Sequence, residues 1–340
     1  MSESISTTCV QGGYRPGDGE PRQIPIYQST TWKYDTSEHM GRLFDLEEAG
    51  YFYTRLANPT NDFVAAKIAE LEGGTAAMLT SSGQAANFFA VFNIAGAGDH
   101  VVASSAIYGG TYNLLAVTMK RMGLECTFVS PDCTDEELEA AFRPNTKAVF
   151  GETIANPALA VLDIERFGLG GAFITKATAQ LMRDFGAIQS PQNAYLVNLG
   201  LESLHLRMAQ HSKNGLALAQ HLAAHPKIAW VRYPGLPGDD QYELAQKYLP
   251  NGASGVVSFG VAGGRAAAET FMANLKLAQI ATHVADARTC VLHPANATHR
   301  QMNDEELAAA GITPDLIRLS CGIEATEDLI ADVDQALAAV

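Results

Sequence analysis

The chain has 340 residues, of which 47 % are hydrophobic and 18 % are charged. This length suits two domains, and the apolar share is enough for large cores. Lys and Arg total 23 against 37 Asp and Glu, and no basic patch of the kind that binds nucleic acid is found. No run of apolar residues is long enough for a transmembrane helix. The N-terminus also lacks the basic and apolar regions of a signal peptide.

The cysteines and histidines do not have the spacing of a metal site. Five cysteines are scattered without a C-x-x-C pair, which predicts reduced thiols in a cytoplasmic protein. The histidines of His293-Pro-Ala-Asn-Ala-Thr-His299 are poorly spaced for one helix face, and no cluster of Cys or carboxylates supports them. We therefore assign no metal.

The first half of the chain changes from irregular to alternating patterns. Residues 1–57 are rich in Gly, Pro, Tyr and Thr, and turn residues interrupt every periodic pattern, so an extended arm is expected. From residue 58 onward, helix and strand patterns alternate, which predicts βαβ units on a parallel sheet within an α/β domain over 58–200. The predicted strands are 100–104, 125–130 and 146–153, and the predicted helices are 62–72, one after Gly83, 110–122 and 135–142.

The second half predicts a different architecture. Helices are expected over 169–185 and 192–224, the second of them long and amphipathic. Shorter strands alternate with helices after that, and a final helix begins at Thr326. This order predicts a smaller α+β domain over 201–340. Its expected strands are about 228–233, 255–261, 281–292 and 316–321.

Two motifs suit the binding of a phosphate group. In Tyr53-Thr-Arg55-Leu-Ala-Asn-Pro-Thr60, an Arg fork and a phenol lie on one face if the segment is extended. Thr80-Ser-Ser-Gly-Gln-Ala-Ala leaves a strand and opens a helix, where free N–H groups bind anions and Gly83 allows close approach. Each motif also has an ordinary structural meaning, a surface Arg in the first and a Ser-capped turn in the second.

Two further motifs follow strands, at the carboxyl edge where α/β sheets bind ligands. One is Ala106-Ile-Tyr108-Gly-Gly-Thr-Tyr112, and the other is Phe150-Gly-Glu152-Thr-Ile-Ala-Asn156-Pro157. A packed aromatic at a turn and a plain Asn-Pro turn are the structural alternatives.

Arg318 lies within a predicted strand, in Asp315-Leu-Ile-Arg318-Leu-Ser-Cys-Gly-Ile-Glu324. An Arg that points inward from a strand needs an anionic partner, because an unpaired buried charge is costly. The partner is either an anionic ligand or a carboxylate of the protein itself.

Taken in order, these motifs resemble those of the Cys/Met-metabolism enzymes that depend on pyridoxal 5'-phosphate (PLP). The family patterns are Y-[ST]-R-x-x-N-P-T, S-S-G-M-A-A, E-x-x-x-N-P and R-L-S-x-G-I-E, and the match runs from about residue 10 to the end. The resemblance implies an aspartate-aminotransferase-like (fold type I) large domain, here incomplete, with a smaller C-terminal domain. It also implies a homo-oligomer, at least a dimer and by resemblance a tetramer.

The resemblance implies phosphate-binding roles for the first two motifs. Tyr53 and Arg55 would reach across a subunit interface to the phosphate of the neighbour's PLP. Ser82, Gly83 and Gln84 would form a phosphate cup. Gln84 stands where the family has Met, and we expect this change to matter little because the backbone does the binding.

The remaining motifs are implied to hold the ring and the substrate. Tyr108 would stack on the pyridine ring and assist proton transfer, and Glu152 would lie among the cofactor-binding residues. Asn156 would contact the ring hydroxyl, and Arg318 would bind the α-carboxylate of an amino-acid substrate.

Three strings resemble the O-acetylhomoserine sulfhydrylase branch of the family. They are Tyr248-Leu-Pro-Asn-Gly-Ala-Ser-Gly-Val, His283-Val-Ala-Asp-Ala-Arg-Thr and Thr313-Pro-Asp-Leu-Ile-Arg-Leu-Ser. This branch implies a γ-replacement, in which O-acetylhomoserine and sulfide or methanethiol give homocysteine or methionine and acetate. Cystathionine γ-synthase and methionine γ-lyase share the main motifs and remain alternatives.

One block of the family pattern is missing. The family supplies its Schiff-base lysine in S-x-T-K and its ring-nitrogen aspartate in V-D-N-T, whereas here the chain runs from Phe167 directly to Gly168-Leu-Gly-Gly-Ala-Phe-Ile-Thr-Lys. At roughly 30 residues per unit, two to three βα units are absent. Lys176 superficially resembles the lysine motif but matches a helix lysine of the family better, and Asp163 begins a helix.

The 340-residue chain is therefore predicted to be inactive unless the block exists in a longer protein. A third hypothesis is an inactive remnant that acts only by association with full-length relatives.

Overall fold

A computed structural model describes residues 4–45, 47–167, 182–297, 307 and 312–340. The break after Phe167, Lys176 and His299 lie outside these residues, as does most of the helix predicted over 169–185. Two sheets organise the rest of the chain.

The first sheet has three parallel strands in the order β2-β1-β3. Every residue of the central strand β1 is buried, as expected for a parallel strand that is covered on both faces. The prediction of a parallel sheet is confirmed. The strands are β1 (His100–Ser104), β2 (Glu125–Val129) and β3 (Thr146–Phe150).

Two helices of the first half begin after a side chain that accepts one of their free N–H groups. Before α3 (Pro59–Glu72), the Asn58 side chain accepts the N–H of Thr60. Before α4 (Gly83–Phe92), the Ser82 hydroxyl accepts the N–H of Ala85 at 3.1 Å. These two caps fix where the chain turns into each helix.

The predicted helix over 110–122 is divided in the structure. Helix α5 covers Gly109–Asn113, and a π-helix continues it over Leu114–Met119. Helix α6 (Asp135–Ala141) follows β2 and opens with a reciprocal capping box between Thr134 and Glu137.

The second sheet has five strands in the order β4-β5-β8-β7-β6, and all of its pairs are antiparallel except β6 with β7. Helices from the second half of the chain pack on it and enclose a core that includes Leu218, Phe259 and Phe271. The strands are β4 (Ile228–Arg232), β5 (Val256–Val261), β6 (Gln279–Ile280), β7 (Cys290–Leu292) and β8 (Leu316–Ser320).

The remaining helices complete the described part of the chain, and none of the described helices is long and apolar enough to span a membrane. They are α1 (Ile5–Gln11), α2 (Ser37–Phe44), α7 (Ile164–Phe167), α8 (Arg183–Phe185), α9 (Pro191–Glu202), α10 (Leu204–Ala224), α11 (Tyr242–Tyr248), α12 (Gly264–Asn274) and α13 (Thr326–Ala338). A 3-10 turn covers Pro294–Asn296.

The prediction of a single long helix over 192–224 is wrong, because the structure has two helices there. The chain leaves helical geometry at Ser203, where φ is -110° and ψ is 10°, and this residue separates α9 from α10. The Arg207 guanidinium donates to the Gly200 carbonyl and to the Ser203 hydroxyl, both at 2.7 Å. A side chain therefore satisfies a carbonyl at the end of α9, a role that the hydrophobic pattern does not reveal.

The segment after β3 joins the two sheets. The Ser258 hydroxyl on β5 donates to the Pro157 carbonyl at 2.8 Å, and the Gln241 side chain accepts the N–H of Val161 at 2.9 Å. The Tyr248 hydroxyl donates to Asp163 at 2.7 Å. These bonds fix the Asn-Pro turn against the second half of the chain, while the domain boundaries at 57 and 200 stay a prediction.

We expect Tyr248→Phe to lower the free energy of unfolding by about 1 kcal/mol, because it removes the hydroxyl that bonds to Asp163. Urea unfolding measures the change. Tyr242→Phe is the matched control at the start of the same helix, since no hydrogen bond of its hydroxyl is seen in the described residues, and it should leave the midpoint unchanged. An equal decrease in the free energy of unfolding of both variants would contradict a stabilising bond between Tyr248 and Asp163.

Candidate active site

The start of α4 presents free backbone N–H groups to solvent. Thr80 donates its hydroxyl to the Ser82 carbonyl at 2.8 Å, which holds the turn, and Ser82 through Gln84 are exposed. A Cβ placed on Gly83 would meet no atom within 4 Å. The first N–H groups of a helix lack acceptors within it, so this open turn can bind an anion through its backbone.

Tyr108 and Glu152 meet at the carboxyl edge of the first sheet. The Tyr108 N–H donates to the Glu152 carboxylate at 2.9 Å, and the Tyr108 side chain is 55 % exposed. Burial raises the pKa of the Glu152 carboxyl, and the N–H of Tyr108 offsets part of that rise. A carboxylate on the loop after β3 thus anchors the turn that carries an exposed aromatic ring.

Gly110 determines where the Tyr108 ring lies. A Cβ on Gly110 would be 2.5 Å from the Tyr108 Cε1 atom, so a side chain there would displace the ring. With glycine at this position the Tyr108 ring can lie directly against the backbone.

Arg318 and Asn156 come together from opposite halves of the chain. Arg318 on β8 donates through Nη1 to the Asn156 side-chain oxygen at 3.2 Å and through Nη2 to the His283 carbonyl at 2.9 Å. Its Nε is buried and has no hydrogen-bond partner in the part of the chain that the structure describes. Burial lowers the pKa of the Arg318 guanidinium, but an arginine stays charged in proteins.

No carboxylate among the described residues pairs with this charge. A structural ion pair, the alternative weighed from the sequence, is therefore not formed there. A buried guanidinium whose described partners are neutral and whose Nε has no described partner is suited to receive an anion.

Tyr53 and Arg55 lie on one side of the arm, with the Arg55 guanidinium 5.2 Å from the centre of the Tyr53 ring. The aliphatic part of Arg55 lies against Gly186, and the carbonyl of the next residue, Ala187, accepts the N–H of Ser81 at 2.8 Å. Arg55 is thus close in the fold to the turn before α4. Its role towards a neighbouring subunit stays a prediction.

The structure joins the predicted site residues in two groups. Tyr108 contacts Glu152, and Asn156 contacts Arg318, as given above. The backbone acceptor from His283 was missed, because a carbonyl group leaves no sequence signal. Among the described residues, no cluster of three His, Cys, Asp or Glu side chains could hold a metal.

Comparison with known proteins identifies relatives over nearly the whole chain. The sequence matches the Cys/Met metabolism PLP-dependent enzyme family over residues 6–168 and 169–338. It is 36 % identical to O-acetyl-L-homoserine sulfhydrylase 1 of Thermus thermophilus, over 98 % of this chain and 100 % of that protein. It is also 36 % identical to the L-methionine gamma-lyase of Fusobacterium nucleatum, over 98 % of each.

A solved structure has the same fold. The crystal structure of a putative O-acetylhomoserine (thiol)-lyase from Campylobacter jejuni matches with a TM-score of 0.92 and 30 % identity, over 99 % of this chain and 100 % of that one. That crystal structure carries N'-pyridoxyl-lysine-5'-monophosphate at its position 205.

The comparisons also indicate that relatives have a segment that this chain lacks, close to the break predicted between residues 167 and 168. The family match falls into two pieces that meet between residues 168 and 169. The alignment with the Thermus thermophilus protein covers 422 residues, against 340 in this chain. The relative therefore has a long segment for which this chain has no counterpart.

Covalent attachment of PLP requires a lysine close to the site residues. The chain has nine, and Lys176 lies outside the described residues. The buried Lys67 donates to Asn198 at 2.7 Å, Lys227 to the Leu337 carbonyl at 2.8 Å, and Lys247 to Glu165 at 2.7 Å. No described lysine forms a hydrogen bond or ion pair with Tyr108, Asn156 or Arg318.

The described residues offer an open turn with free backbone N–H groups and a buried guanidinium, and no described lysine lies in contact with either for covalent attachment of PLP. By its sequence match and its fold, the chain belongs to the Cys/Met metabolism PLP-dependent enzymes.

Proposed function

We propose that this site is built for γ-replacement on O-acetylhomoserine, in which sulfide or methanethiol displaces acetate and gives homocysteine or methionine. The observation that carries the proposal is the buried Arg318, whose Nη1 donates to Asn156 and whose Nε has no partner among the described residues. The relatives named as O-acetyl-L-homoserine sulfhydrylases and homocysteine synthases support this choice of reaction. The protein would act in the cytoplasm as a homo-oligomer, at least a dimer and by resemblance a tetramer.

Five residues would hold the phosphate group of PLP. The backbone N–H groups at the start of α4, from Ser82, Gly83 and Gln84, would donate to its oxygens. Tyr53 and Arg55 would add a phenol and a guanidinium fork. When bound, PLP supplies a ring that accepts electrons from the substrate.

Asn156 and Arg318 would orient the ring and the substrate. Because the Asn156 oxygen accepts from Arg318, its Nδ2 remains to donate to the ring hydroxyl. The free Nε of Arg318, with one of its Nη groups, would bind the α-carboxylate in a fork. Tyr108 would cover one face of the ring, held by its backbone bond to Glu152.

The chain keeps these binding groups and lacks the two reactive ones that the family supplies in its missing block. A Schiff-base lysine moves protons at the substrate carbons, and a carboxylate keeps the ring nitrogen protonated. We therefore assign the reaction to the site as completed by that block.

Insertion of the Thermus thermophilus segment between residues 168 and 169 should restore activity. The 340-residue chain should release no acetate from O-acetylhomoserine with sulfide, whereas the chimera should release acetate and form homocysteine. A chimera with the inserted lysine changed to Ala is the control. Acetate release by the unmodified chain at the chimera's rate would contradict the prediction.

The same chimera separates the alternatives within the family. A methionine γ-lyase would release an α-keto acid from methionine, and a cystathionine γ-synthase would use cysteine as the thiol. The relative named L-methionine gamma-lyase keeps the first alternative open to test. Faster α-keto acid release from methionine than acetate release from O-acetylhomoserine would overturn the proposed reaction.

The second candidate function is an inactive subunit that associates with full-length relatives. The absent lysine motif favours it, because the binding groups persist without the reactive ones. Co-expression with an intact relative should then give a mixed oligomer. Purification of this chain as a monomer in that experiment would exclude it.

Arg318→Lys should weaken binding of a reduced phosphopyridoxyl-homoserine adduct by about tenfold or more, because lysine keeps the charge but loses the fork. Binding of pyridoxamine 5'-phosphate, which has no carboxylate, should be unchanged, and titration calorimetry measures both. Arg232→Lys, at an exposed pair with Asp240, is the matched control. Equal weakening of both ligands would refute the carboxylate role.

A further inference from the structure

The Gln84 side chain links the start of α4 to the start of α5. Its Nε2 donates to the Gly110 carbonyl at 3.0 Å. Its Oε1 lies 3.4 Å from the Asn87 amide nitrogen and 3.5 Å from the Thr111 hydroxyl, and the Asn87 amide in turn donates to that hydroxyl at 2.9 Å. The expectation that this residue acts only through its backbone does not account for these contacts.

The bond to Gly110 bears on Tyr108. The Tyr108 carbonyl accepts the N–H groups of Thr111 and Tyr112 at 2.9 and 3.0 Å, so this turn is one hydrogen-bonded unit. The Tyr108 ring lies directly against Gly110. A donor that holds the Gly110 carbonyl therefore holds the residue on which the ring rests.

The turn is thus held from two sides. On one side, the Glu152 carboxylate accepts the Tyr108 N–H from the loop after β3. On the other side, Gln84 donates from the second residue of α4, immediately after Gly83. The anion-binding turn and the aromatic ring are connected through one side chain.

A methionine at this position has a similar length but no N–H to donate. It would leave the backbone N–H groups of α4 in place and remove the bond to Gly110. Gln84 itself is exposed, so the loss acts on the orientation of the turn more than on the stability of the core.

We propose that Gln84 is a positioning residue that couples the phosphate-binding turn to the Tyr108 ring, so that binding of the phosphate places the ring over the pyridine. This rests on the proposed function, in which Tyr108 covers the ring of the cofactor. The coupling depends on the glutamine side chain. A turn that bound phosphate only through its backbone N–H groups would not be coupled to the Tyr108 ring.

The test compares two probes on the full chain, inorganic phosphate and pyridoxamine 5'-phosphate, which needs no lysine to bind. Gln84→Met should lower the affinity for pyridoxamine 5'-phosphate about fivefold. It should leave the affinity for phosphate alone unchanged, because the backbone donors remain. Thermal unfolding of each variant checks that the fold persists.

A double-mutant cycle separates positioning from a general structural effect. Tyr108→Ala should lower the affinity for pyridoxamine 5'-phosphate. Adding Gln84→Met to this variant should lower the affinity no further, because the ring that Gln84 positions is gone. Additive losses, or no change with Gln84→Met alone, would overturn the coupling while leaving the proposed function intact. If the unmodified chain binds pyridoxamine 5'-phosphate no more tightly than inorganic phosphate, both the coupling and the ring-binding role of Tyr108 are contradicted.

Discussion

The guanidinium of Arg318 is buried on β8, where it must find hydrogen-bond partners or an anion to offset the cost of its charge. Its described partners are neutral, the Asn156 amide and the His283 carbonyl. This arrangement connects the turn after β3 to the second sheet and leaves the Nε without a partner among the described residues. The position of the Asn-Pro turn, and with it one wall of the site, depends on this interaction.

Several neighbouring bonds support the same junction. Ser258, Gln241 and Tyr248 all bind the segment 157–163 from the second half of the chain. Without these bonds, the Asn-Pro turn would be held to the second half of the chain by Arg318 alone among the side chains named above. The position of Asn156 and Pro157 is thus held by side chains of the C-terminal half.

Local turns shape the carboxyl edge of the first sheet. Ser82 caps α4, Glu152 anchors the Tyr108 turn, and Gln84 joins the two. No described lysine forms a hydrogen bond or ion pair with these residues. The match to the family falls into two pieces that meet between residues 168 and 169.

The sequence by itself determined the strands β1, β2 and β3, because short apolar runs bounded by turn residues encode them locally. It also placed Tyr108 and Glu152 at one edge, since parallel strands end on the same side of a sheet. The missing block was visible as well, as an interrupted order of motifs.

Only the tertiary structure decided the contacts between distant segments. Asn156 and Arg318 are 162 positions apart, and nothing local to either predicts their bond. The interruption at Ser203, the shortening of the strand predicted over 281–292 to β7, and the Gln84 bond to Gly110 are of the same kind. Each depends on which side chains packing brings within hydrogen-bond distance, whereas periodicity reports only which face of an element is buried.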